Sequence, residues 1–118
     1  MRIVQVIGSA AALVFISGVA GAHAFLEQAE PRVGSNIAAA PREVTLRFTQ
    51  DIEPAFSSAT ITDASGQRVD VGKPVISGNL MRLSLREIGA GSYRVSWHVL
   101  SVDTHTTEGA FNFGVDKP

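Results

Sequence analysis

The strongest constraint on the fold is the run of residues 91–99, in which every second side chain is apolar. This period matches a β-strand, whose successive side chains point to opposite faces of a sheet, and not the 3.6-residue period of a helix. One face of the strand is therefore predicted to be buried and the other exposed. The inward positions are Tyr93, Val95, Trp97 and Val99, opposite Arg94, Ser96 and His98.

Shorter runs with the same period recur along the chain, with turn residues between them. Many short strands at this spacing favour two packed antiparallel sheets. We therefore predict an all-β fold, an immunoglobulin-like antiparallel β-sandwich or Greek-key barrel of about seven strands, in which Tyr93 forms a tyrosine corner. Strands are predicted over residues 25–30, 43–49, 59–62, 80–85, 91–99 and 110–115, with weaker candidates at 68–71 and 74–76.

The start of the chain has the three parts of a secretory signal peptide. Arg2 supplies the basic start, residues 10–19 form an apolar block, and Ala20-Gly21-Ala22 is a cleavage signal. A membrane anchor is the alternative, but the apolar run is short and interrupted compared with a span of about 20 residues. We predict a signal peptide over residues 1–22 and one β domain over residues 23–118, exported from the cytoplasm.

The chain contains no cysteine, although its predicted destination is a compartment where disulfides form. Stability must therefore come from an apolar core, and cofactors that need thiolate ligands, such as iron–sulfur clusters, are excluded. The formal net charge is −1, and no cluster of Lys and Arg is visible. Nucleic acid is therefore not a predicted partner, and no direct membrane insertion is expected after signal cleavage.

Chemically active side chains are concentrated in the loop that follows residues 91–99. Asp103 and His105 are two residues apart, so an extended backbone would point both side chains to the same side. Carboxylate and imidazole together are a metal-ligand pairing. Taken alone, Asp103 is equally well explained as a turn former, and His105 as a solvated side chain.

His23 strengthens the case for a metal site. Cleavage after Ala22 makes it the first residue of the mature chain, where its α-amine and imidazole can chelate one ion. The α-amine has a pKa of about 8 in peptides, so the proton cost of binding is modest. With Asp103 and His105 the set is three nitrogens and one oxygen, which suits tetragonal Cu(II). Cleavage after Ala24 would instead remove His23.

The chain also carries a set of short motifs in order. They are the N-terminal His23, Pro31-x-x-Gly34, Arg47-Phe48-Thr49, Gly91-x-Tyr93-x-Val95-x-Trp97, and Ser101-Val102-Asp103-Thr104-His105 before Gly109-x-Phe111-x-Phe113. Together they resemble the CopC family of periplasmic copper-binding proteins. The resemblance implies an immunoglobulin-like fold that carries Cu(II) in copper resistance, homeostasis or uptake, beside a CopD-like inner-membrane transporter. It implies Cu(II) ligands at His23, Asp103 and His105.

Two features depart from the family pattern. Some members hold Cu(I) in a methionine-rich loop, but here Met81 is the one methionine outside the signal peptide. A thioether site needs several soft ligands, so one Cu(II) ion and no Cu(I) methionine site is expected. A family glutamate after the second strand is replaced by Gln50, with Asp51 next to it. The roles of these two residues, of His98 and of Glu108 are left open.

The leading hypothesis is therefore a periplasmic Cu(II) carrier or buffer that is not an enzyme. A copper-dependent oxidative enzyme is the alternative, because an N-terminal histidine with a second histidine resembles the site of lytic polysaccharide monooxygenases. The small domain and the inward position of Trp97 leave no obvious substrate surface for such an enzyme. A third hypothesis is a plain immunoglobulin-like interaction module in which His23 is incidental. Neither a Gly-x-Ser-x-Gly elbow nor a glycine-rich phosphate loop is present.

Overall fold

The computed structural model describes residues 24–118, which form two packed β-sheets. The predicted signal peptide and His23 lie outside the described residues. In the described part, no helix is long and apolar enough to cross a membrane. The strands are β1 (Leu26–Glu30), β2 (Asn36–Ile37), β3 (Glu43–Phe48), β4 (Ser58–Asp63), β5 (Asp70–Ser77), β6 (Leu80–Leu85), β7 (Gly91–Leu100) and β8 (Thr106–Val115), with a 3-10 turn at Pro54–Phe56.

Each sheet has four strands, in the orders β1-β3-β6-β5 and β2-β8-β7-β4. All neighbouring strands are antiparallel except the short β2, which pairs with β8 in parallel. The β5–β6 and β7–β8 connections are hairpins, and every other connection between consecutive strands crosses from one sheet to the other. This is the topology expected of an immunoglobulin-like Greek-key sandwich, and it confirms the predicted fold class.

The two sheets bury the apolar faces of the alternating strands against each other. Phe48 of β3 and Trp97 of β7 meet edge to face between the sheets, with ring centroids 5.3 Å apart. Tyr93 stacks on Phe113 at 5.5 Å, and its hydroxyl donates a 2.7 Å hydrogen bond to the carbonyl of Gly89, as in a tyrosine corner. The inward positions predicted for residues 91–99 are confirmed, because all four of these side chains are buried.

The short strand β2 is absent from the predicted strands, and two further strands differ from the prediction. β8 begins at Thr106, four residues earlier than predicted, because the Trp97 ring fills the inward space at Gly109 and no apolar side chain marks the strand there. A Cβ at Gly109 would lie 2.6 Å from Cζ2 of Trp97. β5 is one strand over Asp70–Ser77 and not two, since Gly72, with a φ of +73°, allows a bulge after which the pairing with β6 resumes.

The outer edge of β4 is partly covered by the segment that leads into β5. The side chain of Asp70 is only 3% exposed, and its carboxylate accepts hydrogen bonds from the backbone N–H of Ile61 at 2.9 Å and from the Arg68 guanidinium at 2.6 Å. Burial opposes ionisation of this carboxyl, but the hydrogen bonds from Arg68 and Ile61 outweigh it and hold the pKa of Asp70 below its ordinary value.

We expect Asp70→Asn to lower the free energy of unfolding by about 1.5–3 kcal/mol at neutral pH, the usual range for hydrogen bonds to a charged group. Because the pKa is lower in the folded than in the unfolded chain, the contribution is present above about pH 4 and is lost as the pH falls through the folded pKa. Urea unfolding should therefore show a smaller difference between variant and wild type in acid. Glu87→Gln, at an exposed carboxylate, is the control, and a pH-independent difference for Asp70→Asn would contradict this account.

Candidate metal centre

A tight hairpin loop joins β7 to β8 and carries Asp103 and His105. The backbone N–H of Ser101 donates to the carbonyl of His105 at 2.9 Å, and that of Thr104 donates to the carbonyl of Ser101 at 2.9 Å. Thr104 has a φ of +71°, so the four-residue turn 101–104 ends on a left-handed residue, as in common three-residue hairpin loops. Threonine is rare in that conformation because its side chain is β-branched. The loop is therefore a tight turn, and not the extended backbone on which the same-side argument for Asp103 and His105 depends.

The turn nevertheless brings Asp103 and His105 together. Oδ1 of Asp103 lies 3.2 Å from Nδ1 of His105, and the two side chains are 38% and 51% exposed, respectively. The Ser101 hydroxyl donates a hydrogen bond to Oδ1 of Asp103. This hydrogen bond, opposed by desolvation and reinforced by His105, holds the pKa of Asp103 below its ordinary value. The carboxylate is therefore ionised at neutral pH and can attract a cation.

The spacing of these two side chains fits a divalent metal ion of the first transition row. Carboxylate oxygen and imidazole nitrogen bind such an ion at about 2.0–2.2 Å, so two bonds at a right angle place the donors about 3 Å apart. The 3.2 Å between Asp103 Oδ1 and His105 Nδ1 is close to that value, and it also allows a hydrogen bond between the two side chains in the absence of an ion. Within residues 24–118, no three His, Cys, Asp or Glu side chains are grouped so that they could hold a metal. The loop thus supplies two of the three predicted ligand residues.

The first described residue, Ala24, is anchored beside this loop. It is fully buried, and its carbonyl accepts a 2.6 Å hydrogen bond from Oγ1 of Thr107, which follows His105 by two residues. The start of the β domain is thereby fixed at the end of the sandwich that carries the Asp103–His105 pair. His23 itself is not among the described residues, and its role as a ligand stays a prediction.

The connection between β3 and the 3-10 turn runs alongside the same loop. The carbonyl of Asp51 accepts a 3.1 Å hydrogen bond from the N–H of Val102, and Ile52 forms an isolated β-bridge with Ser101. The carboxylate of Asp51 lies beside Gly78 in the β5–β6 turn, 3.4 Å from where a Cβ would stand. This connection therefore supports the loop through its backbone.

The other residues whose roles were left open lie away from the loop. His98 and Glu108 are opposite each other on the exposed outer face of β7 and β8, so the outward position predicted for His98 is confirmed. Met81 is fully buried in β6 and faces the core.

Sequence reasoning assigns no role to Ser101, which the structure places at the centre of the loop. The residue is fully buried, and its hydroxyl contacts both the Asp103 carboxylate and the N–H of His105, the latter at 3.3 Å. The available signal is a serine placed directly before a turn, where its hydroxyl can bond to groups a few residues further along.

Comparison with known sequences matches this chain to a CopC domain profile and to individual bacterial proteins. A sequence profile of the CopC domain matches residues 26–116. The chain is 33% identical to protein YobA of Escherichia coli K12 over 99 residues, covering 80% of this chain and 79% of YobA. It is 28% identical over 109 residues to the copper transport protein CutJ of Bacillus subtilis, covering 89% of this chain but only 20% of CutJ.

Among solved structures, CopC and PcoC match this chain. CopC from Methylosinus trichosporium OB3b matches with a TM-score of 0.75 at 39% sequence identity, covering 80% of this chain and 95% of that one. PcoC, a methionine-rich copper resistance protein from Escherichia coli, matches with a TM-score of 0.70 at 32% identity, covering 80% of this chain and 99% of PcoC.

Proposed function

The chain belongs to the CopC family of copper resistance and copper transport proteins, and we propose that it is a periplasmic Cu(II) carrier or buffer. One Cu(II) ion is bound through the α-amine and imidazole of His23, together with Asp103 and His105. The function is binding and delivery, not catalysis. The observation that carries the proposal is the 3.2 Å spacing of Asp103 Oδ1 and His105 Nδ1, on a loop beside which the β domain begins.

The position of Ala24 supports His23 as the third ligand residue. The carbonyl of Ala24 accepts a hydrogen bond from Thr107, two residues after His105. His23 directly precedes Ala24 in the sequence, although it is distant in sequence from the loop. An N-terminal histidine adds two nitrogens to the nitrogen and oxygen of the loop, which completes a donor set that suits Cu(II).

Export and delivery form part of the same proposal. Residues 1–22 are removed as a signal peptide and residues 23–118 form the mature domain, a division supported by the CopC match over residues 26–116. A CopD-like inner-membrane transporter is the proposed recipient of the ion. This is supported by CutJ, a copper transport protein in which the part similar to this chain is a fifth of the whole. Because Met81 is buried in the core, no Cu(I) methionine site is proposed.

Titration of Cu(II) into the exported protein, with the N terminus at His23 verified by mass, tests the proposal. We expect one tightly bound ion with a type 2 electron paramagnetic resonance spectrum that shows nitrogen ligands. His105→Ala should weaken binding by on the order of 100-fold, since groups that merely hydrogen-bond to metal ligands already contribute about 10–100-fold.

His98→Ala is the matched control, because it also removes an imidazole. His98 lies on the exposed outer face of β7, whereas His105 lies in the loop that follows β7. The His98→Ala substitution should leave the affinity for Cu(II) unchanged. Weak binding by the wild type, or equal losses in His98→Ala and His105→Ala, would exclude the proposed site.

A further inference from the structure

We propose that Ser101 is a positioning residue that sets the affinity of the site for Cu(II) without contacting the ion. The inference rests on the proposed function, because it assigns to Ser101 the task of holding Asp103 and His105 ready for the ion. Its basis is the set of hydrogen bonds that one buried side chain makes to both residues.

The Ser101 hydroxyl has a donor and an acceptor role, and each reaches one of the proposed ligand residues. It donates to Oδ1 of Asp103 and accepts from the backbone N–H of His105 at 3.3 Å. The backbone of Ser101 adds a 2.9 Å hydrogen bond to the carbonyl of His105. The orientation of the carboxylate and the path of the backbone at His105 are thus linked through a single oxygen atom.

Burial makes this arrangement rigid. Ser101 is 0% exposed, so water cannot replace the hydroxyl, whereas Asp103 and His105 are both partly exposed. The hydroxyl therefore orders the Asp103 carboxylate on a turn whose last residue, Thr104, has a positive φ. Ordering this carboxylate before the ion arrives reduces the entropy lost on binding.

Ser57 provides a control that separates the contacts of Ser101 with Asp103 and His105 from the general effect of removing a buried hydroxyl. In the described part of the chain, Ser57 and Ser101 are the two buried serines, with Ser57 8% exposed. The Ser57 hydroxyl accepts a 3.1 Å hydrogen bond from the N–H of Leu100, directly before Ser101, but it makes no hydrogen bond to Asp103 or His105. Ser57→Ala therefore removes a buried hydroxyl at the same end of the sandwich and leaves the ligand contacts intact.

We expect Ser101→Ala to weaken Cu(II) binding by about 10–100-fold, the range for groups that hydrogen-bond to metal ligands, and Ser57→Ala to bind as the wild type does. The lines of the Cu(II) electron paramagnetic resonance spectrum should broaden in Ser101→Ala and not in Ser57→Ala, because Asp103 then samples several orientations. Without copper, hydrogen exchange at the His105 amide should accelerate in Ser101→Ala and not in Ser57→Ala, while both variants lose similar thermal stability.

Equal affinities of Ser101→Ala and the wild type would overturn the inference while leaving the proposed function intact. Equal weakening by Ser57→Ala would also overturn it, since the effect would then be one of general stability. Failure of the wild type to bind Cu(II) would overturn the proposed function and this inference together.

Discussion

Affinity for Cu(II) is expected to fall by at least about 100-fold when the α-amine of His23 is acetylated in the mature protein. Acetylation converts the α-amine into an amide and supplies no new amine to anchor the ion. The chelate ring between amine and imidazole is then lost, although every side chain is still present. The dissociation constant can be measured by competition with a chelator of known affinity.

The free proteins provide the control for this comparison. Without copper, the acetylated and unacetylated forms should unfold at the same temperature, because Ala24 keeps its hydrogen bond from Thr107 in both. Unchanged affinity in the acetylated form would rule out the α-amine as a ligand. An exported protein whose mass shows that it starts at Phe25 would rule out His23 altogether.

Phe48→Ala is expected to lower the free energy of unfolding by about 3–5 kcal/mol. The ring of Phe48 is fully buried between the two sheets and meets Trp97 at 5.3 Å, so its removal opens a cavity where the sheets meet. A loss of this size is a large part of the 5–15 kcal/mol that typically stabilises a domain. Urea unfolding, followed by the fluorescence of Trp97, measures the difference.

Phe56→Ala makes the same chemical change at an exposed site. Phe56 lies in the 3-10 turn with 67% of its surface exposed, and its truncation should change stability by less than about 0.5 kcal/mol. Similar losses in the two variants would mean that the core does not depend on the packing of Phe48 on Trp97.

The strands that sequence reasoning predicts well are those with an apolar side chain at every inward position, as in residues 91–99. β8 shows why the method fails elsewhere. Its inward space at Gly109 is filled by the ring of Trp97 from the neighbouring strand, so the first half of β8 contains no apolar alternation of its own. Packing across strands is a tertiary property that a local pattern does not contain.

At the candidate site, too, the sequence predicts some features, and others depend on tertiary packing. The spacing of Asp103 and His105 predicts their proximity, but the reason is a turn with Thr104 in the left-handed region, which favours glycine and which a β-branched residue does not suggest. The importance of Ser101 depends on its complete burial, and burial of a loop serine follows from how the β3–β4 connection packs alongside it. Neither property is visible in the residue types alone.

The bulged strand β5 forms one free edge of its sheet, and an open edge can recruit a strand from another molecule. Gly72 shifts the pairing, Lys73 places a charge at the edge, and Pro74 lacks an N–H donor. Pairing of two copies along this edge would bring their lysines together and leave carbonyls unpaired. The sequence of β5 therefore disfavours the addition of a strand from another molecule at this edge.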